Sequence, residues 1–179
     1  MKRFRRIALS LMLAIALMAV LAVPVAADNP TVSITVTAEV VSITNTMDTW
    51  AIGVVAVDDV VYFSATGAQD DDYSTITNTG SVAVDVEIQG TDFEGGDYDW
   101  TLAASPGDQT YSLYANNTTG GPNYAIEVKS SAYNDLVTNL AVDGTYDWSM
   151  KFTAPTAFNS SDDGNEKSAT VTLVASKHV

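Results

Sequence analysis

Residues 76–90 read ITNTGSVAVDVEIQG, and in the second half of this stretch a large apolar side chain recurs at every second position. The apolar positions are Val82, Val84, Val86 and Ile88. A period of two is typical of a strand with one buried face and one solvated face. Residues 79–81 (Thr-Gly-Ser) carry a turn signal, and residues 73–78 read as the strand before it. The stretch therefore predicts two strands joined by a turn.

The same alternation recurs along most of the chain. Further strands are predicted at 31–40, 50–57, 60–64, 98–103, 109–115, 124–128, 146–152 and 169–175. Segments 98–103 and 109–115 read as a hairpin around Pro106-Gly107, and 132–140 reads as a crossing with a short helical turn. About nine short strands with regular turns predict an all-β fold, a single two-sheet antiparallel β-sandwich of immunoglobulin-like or jelly-roll-like type.

The N-terminus has the organisation of a secretory signal peptide. Four basic residues within positions 1–6 precede an apolar run from Ile7 to Val23, and Val25 and Ala27 occupy the −3 and −1 positions of a cleavage site. We therefore predict a signal peptide at 1–27 and one β-sandwich domain at 28–179. An uncleaved membrane anchor and a type IV pilin leader, cut before Ile7, are the alternatives.

Charge and composition narrow the possible partners. Cleavage after Ala27 removes four of the eight basic residues and none of the 22 acidic ones, so the formal net charge changes from −14 to −18. Such a surface repels nucleic acid and anionic lipid, so neither nucleic acid nor, after leader cleavage, a membrane is expected as a partner. The chain has no cysteine, and its single histidine, His178, is expected to be frayed at the C-terminus. No thiol chemistry, serine–histidine triad or histidine zinc site is expected.

The turn in residues 76–90 resembles a hallmark of exported β-sandwich proteins of the TasA/camelysin-like type. In such domains a strand that ends in Thr-Asn turns through glycine and returns as an alternating strand. Residues 50–53 (Trp-Ala-Ile-Gly) and 167–175 fit the same layout. The resemblance implies a structural component of a cell surface or matrix, and several such proteins polymerise by lending a terminal strand to a neighbour. It implies no catalytic residues.

Two acidic loops are candidate calcium sites, because hard cations need several oxygen ligands. The candidate ligands are Asp70, Asp71, Asp72, Asp162, Asp163 and Glu166. Solvated turns of an Asp-rich protein are the alternative interpretation, which also applies to the acidic residues at 92–99. No other cofactor is expected. Acceptor triplets for N-glycosylation occur at Asn116, Asn117 and Asn159 in predicted loops.

Aromatic side chains are the candidates for a sugar-binding face, although core packing is the default for those in alternating strands. The set comprises Trp50, Trp100, Trp148, Tyr98, Tyr111, Tyr114, Tyr124 and Tyr146. No pair of carboxylates has a spacing that marks a glycosidase, so we do not expect an enzyme.

The sequence favours a secreted or cell-surface structural protein, with a fibre-forming matrix or surface-layer component as the specific hypothesis. The alternative is an extracellular binding module for calcium, carbohydrate or another surface protein. Segment 31–40 is predicted to bury one apolar face, and after cleavage it would be the first strand of the domain. It carries one charge, Glu39, and no proline beyond position 30, so little protects it as an edge strand. Self-association by exchange of this strand is therefore a further hypothesis.

Overall fold

The computed structural model describes residues 35–63, 73–116, 124–159 and 164–179. The backbone divides into two units, Met1–Thr37 and Ala38–Val179. The three described residues of the first unit are exposed and form no strand. All regular secondary structure described in the second unit is β, and no helix occurs in the described ranges. The prediction of an all-β fold is confirmed.

In the part of the chain that the structure describes, eleven strands form three sheets, none of which closes into a barrel. Sheet 1 has the order β1-β3-β9, sheet 2 the order β2-β10-β6-β5 with β7 also paired to β6, and sheet 3 the order β11-β4-β8. The strands are β1 Ile43–Asn45, β2 Val60–Tyr62, β3 Ser74–Asn78, β4 Val84–Gly90, β5 Thr101–Leu102, β6 Thr110–Ala115, β7 Ile126–Glu127, β8 Asn134–Leu140, β9 Thr145–Trp148, β10 Met150–Thr153 and β11 Val171–Lys177. All pairings are antiparallel except that of β5 with β6.

Strand β4 confirms the alternation seen in the sequence. Its inward residues Val84, Val86 and Ile88 are fully buried, while Asp85, Glu87 and Gln89 are partly exposed on the other face. Both neighbours of β4 in sheet 3, β11 and β8, pair with it antiparallel. The strand therefore lies at the centre of its sheet, where a fully apolar inner face is most stabilising.

One cluster of buried side chains joins the three sheets. Ile76 and Trp148 enter it from sheet 1, Tyr111 and Phe152 from sheet 2, and β4 contributes from sheet 3. The aromatic rings of Phe93, Tyr111 and Phe152 pack together with centroid distances of 4.6–5.9 Å. Burial of such large side chains is the main source of stability for a chain that has no disulfide.

The alternating run 146–152 changes sheets in its middle. Residues Tyr146 and Trp148 lie on β9 in sheet 1, and Met150 and Phe152 lie on β10 in sheet 2. Ser149, between the two strands, is completely buried. The prediction that the four side chains share one face agrees with their burial in one core, but the run is two strands rather than one.

Two predicted strands are wrong for the residues that the structure describes. Segment 50–57 forms no strand: Gly53 has a φ of 83° and Asp58 a φ of 60°, so the backbone turns at both points. Its larger side chains, Trp50, Ile52 and Val55, still pack on the core. Segment 35–40 also forms no strand and is exposed, whereas a buried apolar face was predicted; residues 31–34 lie outside the described residues.

The predicted hairpin and helical turn are also wrong. A hairpin would pair β5 and β6 antiparallel, but the two strands are parallel. The chain makes an additional tight turn between Gly107 and Thr110, where Gln109 has a φ of 50°, and therefore enters β6 in the same direction as β5. Residues 134–140 form strand β8 and no helix. Leu136 and Leu140 are both buried, and a spacing of four satisfies a strand as well as a helix.

Candidate functional site

A turn between β3 and β4 organises one end of the molecule around the side chain of Asn78. This side chain is fully buried, and its Nδ2 donates to the carbonyl oxygens of Val82 at 2.9 Å, Leu140 at 3.0 Å and Ala141 at 3.1 Å. Its Oδ1 accepts the backbone N–H of Gly80 at 2.9 Å. The amide therefore ties sheet 1 to sheet 3 and fixes the path of the chain into β4.

The chain before β1 is anchored on this turn. The Ser81 N–H donates to the Val40 carbonyl at 2.8 Å, and the Val40 N–H donates to Ser81 Oγ at 2.8 Å. Thr79 makes two further bonds to Ser42, one through its backbone N–H and one through its hydroxyl. These hydrogen bonds hold Val40 and Ser42 on the turn, and among the described residues none of them reaches a residue before Val40.

An ion pair lies beside this anchor. Glu39 Oε2 is 2.6 Å from Lys177 Nζ, at the last residue of β11. Both side chains are about half exposed, so the pair contributes little to stability. It does, however, place the chain at Glu39 next to the end of β11.

Strand β11 is an edge strand whose inner face is incompletely covered. It pairs with β4 along all seven of its residues, and no described strand pairs with its other side. Its inward residues Val171, Leu173 and Ala175 pack on the core but are only partly buried, unlike those of β4. Exposed Val174 lies on the other face. An edge with free backbone groups and an open apolar side can accept another strand.

Exposed valines occur immediately before the anchor on the turn. Val36 is 84% exposed and Val40 is 51% exposed. In a single chain these side chains therefore gain little of the burial that their alternating pattern predicts. Strand β11, with its unpaired edge and its partly open inner face, is the candidate functional site, which we call the open edge.

The structure describes only part of the predicted calcium and glycosylation sites. Glu166 is exposed, and the other five candidate calcium ligands lie outside the described residues. In the described ranges, no three acidic or histidine side chains are arranged to hold a metal ion. Asn116 is buried at 1% exposure, Asn159 is partly buried and Asn117 is outside the described residues.

Most of the predicted sugar-binding aromatics are in or against the core. Trp148 and Tyr111 are 1% exposed, and Trp100 stacks on Phe158 with ring centroids 5.0 Å apart. The Lys167 Nζ atom lies over the Trp100 ring, 5.5 Å from the ring centroid. Burial raises the pKa of Tyr146 to about 12. These side chains therefore do not form one exposed face.

The C-terminal histidine is held in place, which corrects the prediction that it is frayed. The His178 N–H donates to the Ala83 carbonyl at 2.9 Å, and its Nδ1 is 2.8 Å from Asp85 Oδ1. The backbone N–H of Asn139 also donates to Asp85. This bond and the His178 contact hold the pKa of the Asp85 carboxyl below its ordinary value, against a smaller opposing effect of burial.

A lowered carboxyl pKa predicts a loss of stability in acid. Asp85 stabilises the fold above its unfolded pKa, and this contribution disappears as the pH falls through the lower folded value. We expect the unfolding free energy of the wild type to fall more steeply than that of D85N between about pH 5 and pH 3. Urea titrations at each pH measure both slopes. A D85N protein that loses stability as steeply as the wild type contradicts this assignment.

Comparisons with family models, curated proteins and solved structures find no match to this chain. The described ranges also contain no helix of the length and hydropathy needed to cross a bilayer. The functional argument therefore depends on the chain's own geometry.

Proposed function

We propose that this chain is an exported structural protein of the cell surface or extracellular matrix, and that it assembles by adding a strand to the open edge of a neighbouring copy. It works without catalytic activity or a cofactor. The leader-like segment 1–27 supports export. The three sheets around one core support a β-sandwich, for which we propose an immunoglobulin-like or jelly-roll-like arrangement.

The observation that carries this proposal is the match between the open edge of one copy and the exposed segment before β1 of another. Strand β11 leaves Val171, Leu173 and Ala175 partly exposed, and the chain presents an unpaired segment with exposed Val36. Adding a strand to β11 would satisfy its free backbone groups and cover these side chains. The same addition would bury one apolar face of the donated segment, whose valines gain little burial in the isolated chain.

The test compares the chain that starts at Asp28 with a variant that lacks residues 28–36. We expect filaments of the former by negative-stain microscopy and soluble monomers of the latter, because the donated segment is removed while β1 to β11 remain. A peptide of residues 28–40 should bind the truncated protein. V36K should also block assembly, because a charge replaces a side chain that must be buried.

V54K is the matched control, since Val54 is fully exposed in a loop outside the open edge. It should leave assembly unchanged. A wild-type chain that stays monomeric at high concentration, with the amides of residues 35–39 protected from hydrogen exchange, would show that the segment docks within its own molecule and would refute the proposal.

A further inference from the structure

A row of four partly exposed side chains crosses the outer face of sheet 2. Tyr62 on β2 is the register partner of Lys151 on β10, which is the partner of Tyr114 on β6, which is the partner of Glu127 on β7. The residues next to them on the strands, among them Val61, Phe152 and Leu113, point into the core. The alternation of the strands therefore places the four side chains together on the face away from the core. We call them the outer row.

Several contacts hold the aromatic rings of this surface in position. The Tyr114 hydroxyl donates to the Ala104 carbonyl at 2.7 Å, and the Tyr124 hydroxyl is 3.2 Å from Ser149 Oγ. The Tyr124 ring lies against that of Tyr62, with centroids 5.4 Å apart. Rings that are fixed before binding lose little conformational entropy when a ligand covers them.

The charges of the outer row are mixed. Lys151 Nζ is 5.4 Å from the centre of the Tyr114 ring, and no described carboxylate lies within ion-pair distance of it. Glu127 is 3.8 Å from Lys129 at its carboxylate. The row thus offers an ammonium donor and a carboxylate acceptor on either side of an aromatic ring. Hydroxyl groups can use both, since each one donates and accepts.

This combination selects a neutral, hydroxyl-rich ligand. A polyanion is repelled by Glu127 and by the chain's formal net charge of −14. A polycation would meet the ammonium of Lys151 in the middle of the row. Sugar rings present an apolar C–H face that packs on aromatic rings and an edge of hydroxyls that bonds to charged side chains.

The spacing of the two tyrosines adds a preference for one chain shape. They are on strands two apart in the sheet, which corresponds to about 9.5 Å. This is about the separation of every second ring in an extended β-1,4-linked hexopyranose chain. We propose that the outer row binds a neutral β-1,4-linked polysaccharide, with alternate sugars on Tyr62 and Tyr114 and with Lys151 and Glu127 bonded to their hydroxyls.

The test titrates the whole protein with cellohexaose and chitohexaose by calorimetry. We expect Y62A and Y114A each to weaken binding at least about fivefold, because each removes one stacking surface. Y114F, which keeps the ring, should bind within about twofold of the wild type. Y133A is the control, because Tyr133 is a tyrosine accessible to solvent outside the outer row, at 42% exposure. It should leave the affinity unchanged.

K151E provides a second variant that leaves the aromatic rings in place. It exchanges a donor for an acceptor and should also weaken binding at least about fivefold if Lys151 bonds the sugar. Binding of maltohexaose or an oligogalacturonate as tight as that of cellohexaose overturns the preference for a neutral β-linked chain. No binding of either probe at millimolar concentration, or binding that survives both Y62A and Y114A, overturns the site. A change of oligomeric state in these variants without an effect on sugar binding also overturns the proposed sugar site.

Discussion

Replacing Asn78 by alanine is expected to lower the free energy of unfolding by about 3–5 kcal/mol, a large fraction of the stability of a domain of this size. The substitution removes the donors to three carbonyl oxygens and the acceptor for the Gly80 N–H, all within a side chain that has no solvent exposure. Buried polar groups that lose their partners retain their full desolvation cost.

N78D sharpens this prediction because it keeps the shape of the side chain. A carboxylate in place of the amide would face three carbonyl oxygens at about the same distances, with no donor of its own. Its charge would also be buried without a cation. We therefore expect N78D to be at least as destabilised as N78A at neutral pH. In acid, where the carboxyl is protonated, N78D should recover part of the stability that it has lost relative to the wild type.

Urea unfolding followed by tryptophan fluorescence measures both effects. T77A is the matched control, because Thr77 precedes Asn78 on β3 and its side chain is on the partly exposed face of the strand. It should change the stability by less than about 1 kcal/mol. A loss of less than about 1 kcal/mol in N78A would mean that the three carbonyls find other partners, and that the turn does not depend on this amide.

The sequence predicted best the strands whose side chains alternate clearly and whose backbone also finds pairing partners. Strand β4 alternates cleanly, follows a turn and pairs on both sides, so local pattern and tertiary structure agree. Residues 50–57 have a similar apolar content but no pairing partner, and the backbone bends at Gly53 and again at Asp58, just after the segment, where φ is positive. Apolar alternation reports which side chains are buried, and it does not report whether the backbone finds a ladder.

The candidate sites were harder to predict because they depend on register between strands that are distant in sequence. Tyr62 was not singled out as a sugar-binding candidate, because only its pairing with Lys151 places it beside Tyr114. Likewise, nothing in the sequence of residues 167–175 shows that β11 is at an edge with a partly open inner face. The alternating face of β4 and the turn at 79–81 were predicted from the sequence, whereas the pairing of the strands and the buried amide network of Asn78 were not.

Replacing Gly80 by alanine is expected to have the second large effect, and to act on the anchor of the N-terminal segment. A Cβ atom on Gly80 would lie 2.3 Å from the Val40 carbonyl oxygen and 3.0 Å from the Ser42 nitrogen. Both are backbone atoms, so the clash can be relieved only if the chain at 40–42 and the turn move apart, and we expect the segment to move. The hydrogen bonds from Ser81 and Thr79 to this segment would then be lost.

We expect G80A to lose about 2–4 kcal/mol of stability, from three or four hydrogen bonds and the altered packing of β1. G107A is the matched control, since a Cβ there meets nothing closer than 3.6 Å, and it should be nearly neutral. Amide hydrogen exchange locates the effect: protection should fall at Val40 and Ser81 in G80A, while the core of β4 exchanges only through the lowered global stability. Wild-type protection at Val40 and Ser81 in a folded G80A protein would show that the turn shifts instead of the segment, and that the two are not held together by this close backbone contact.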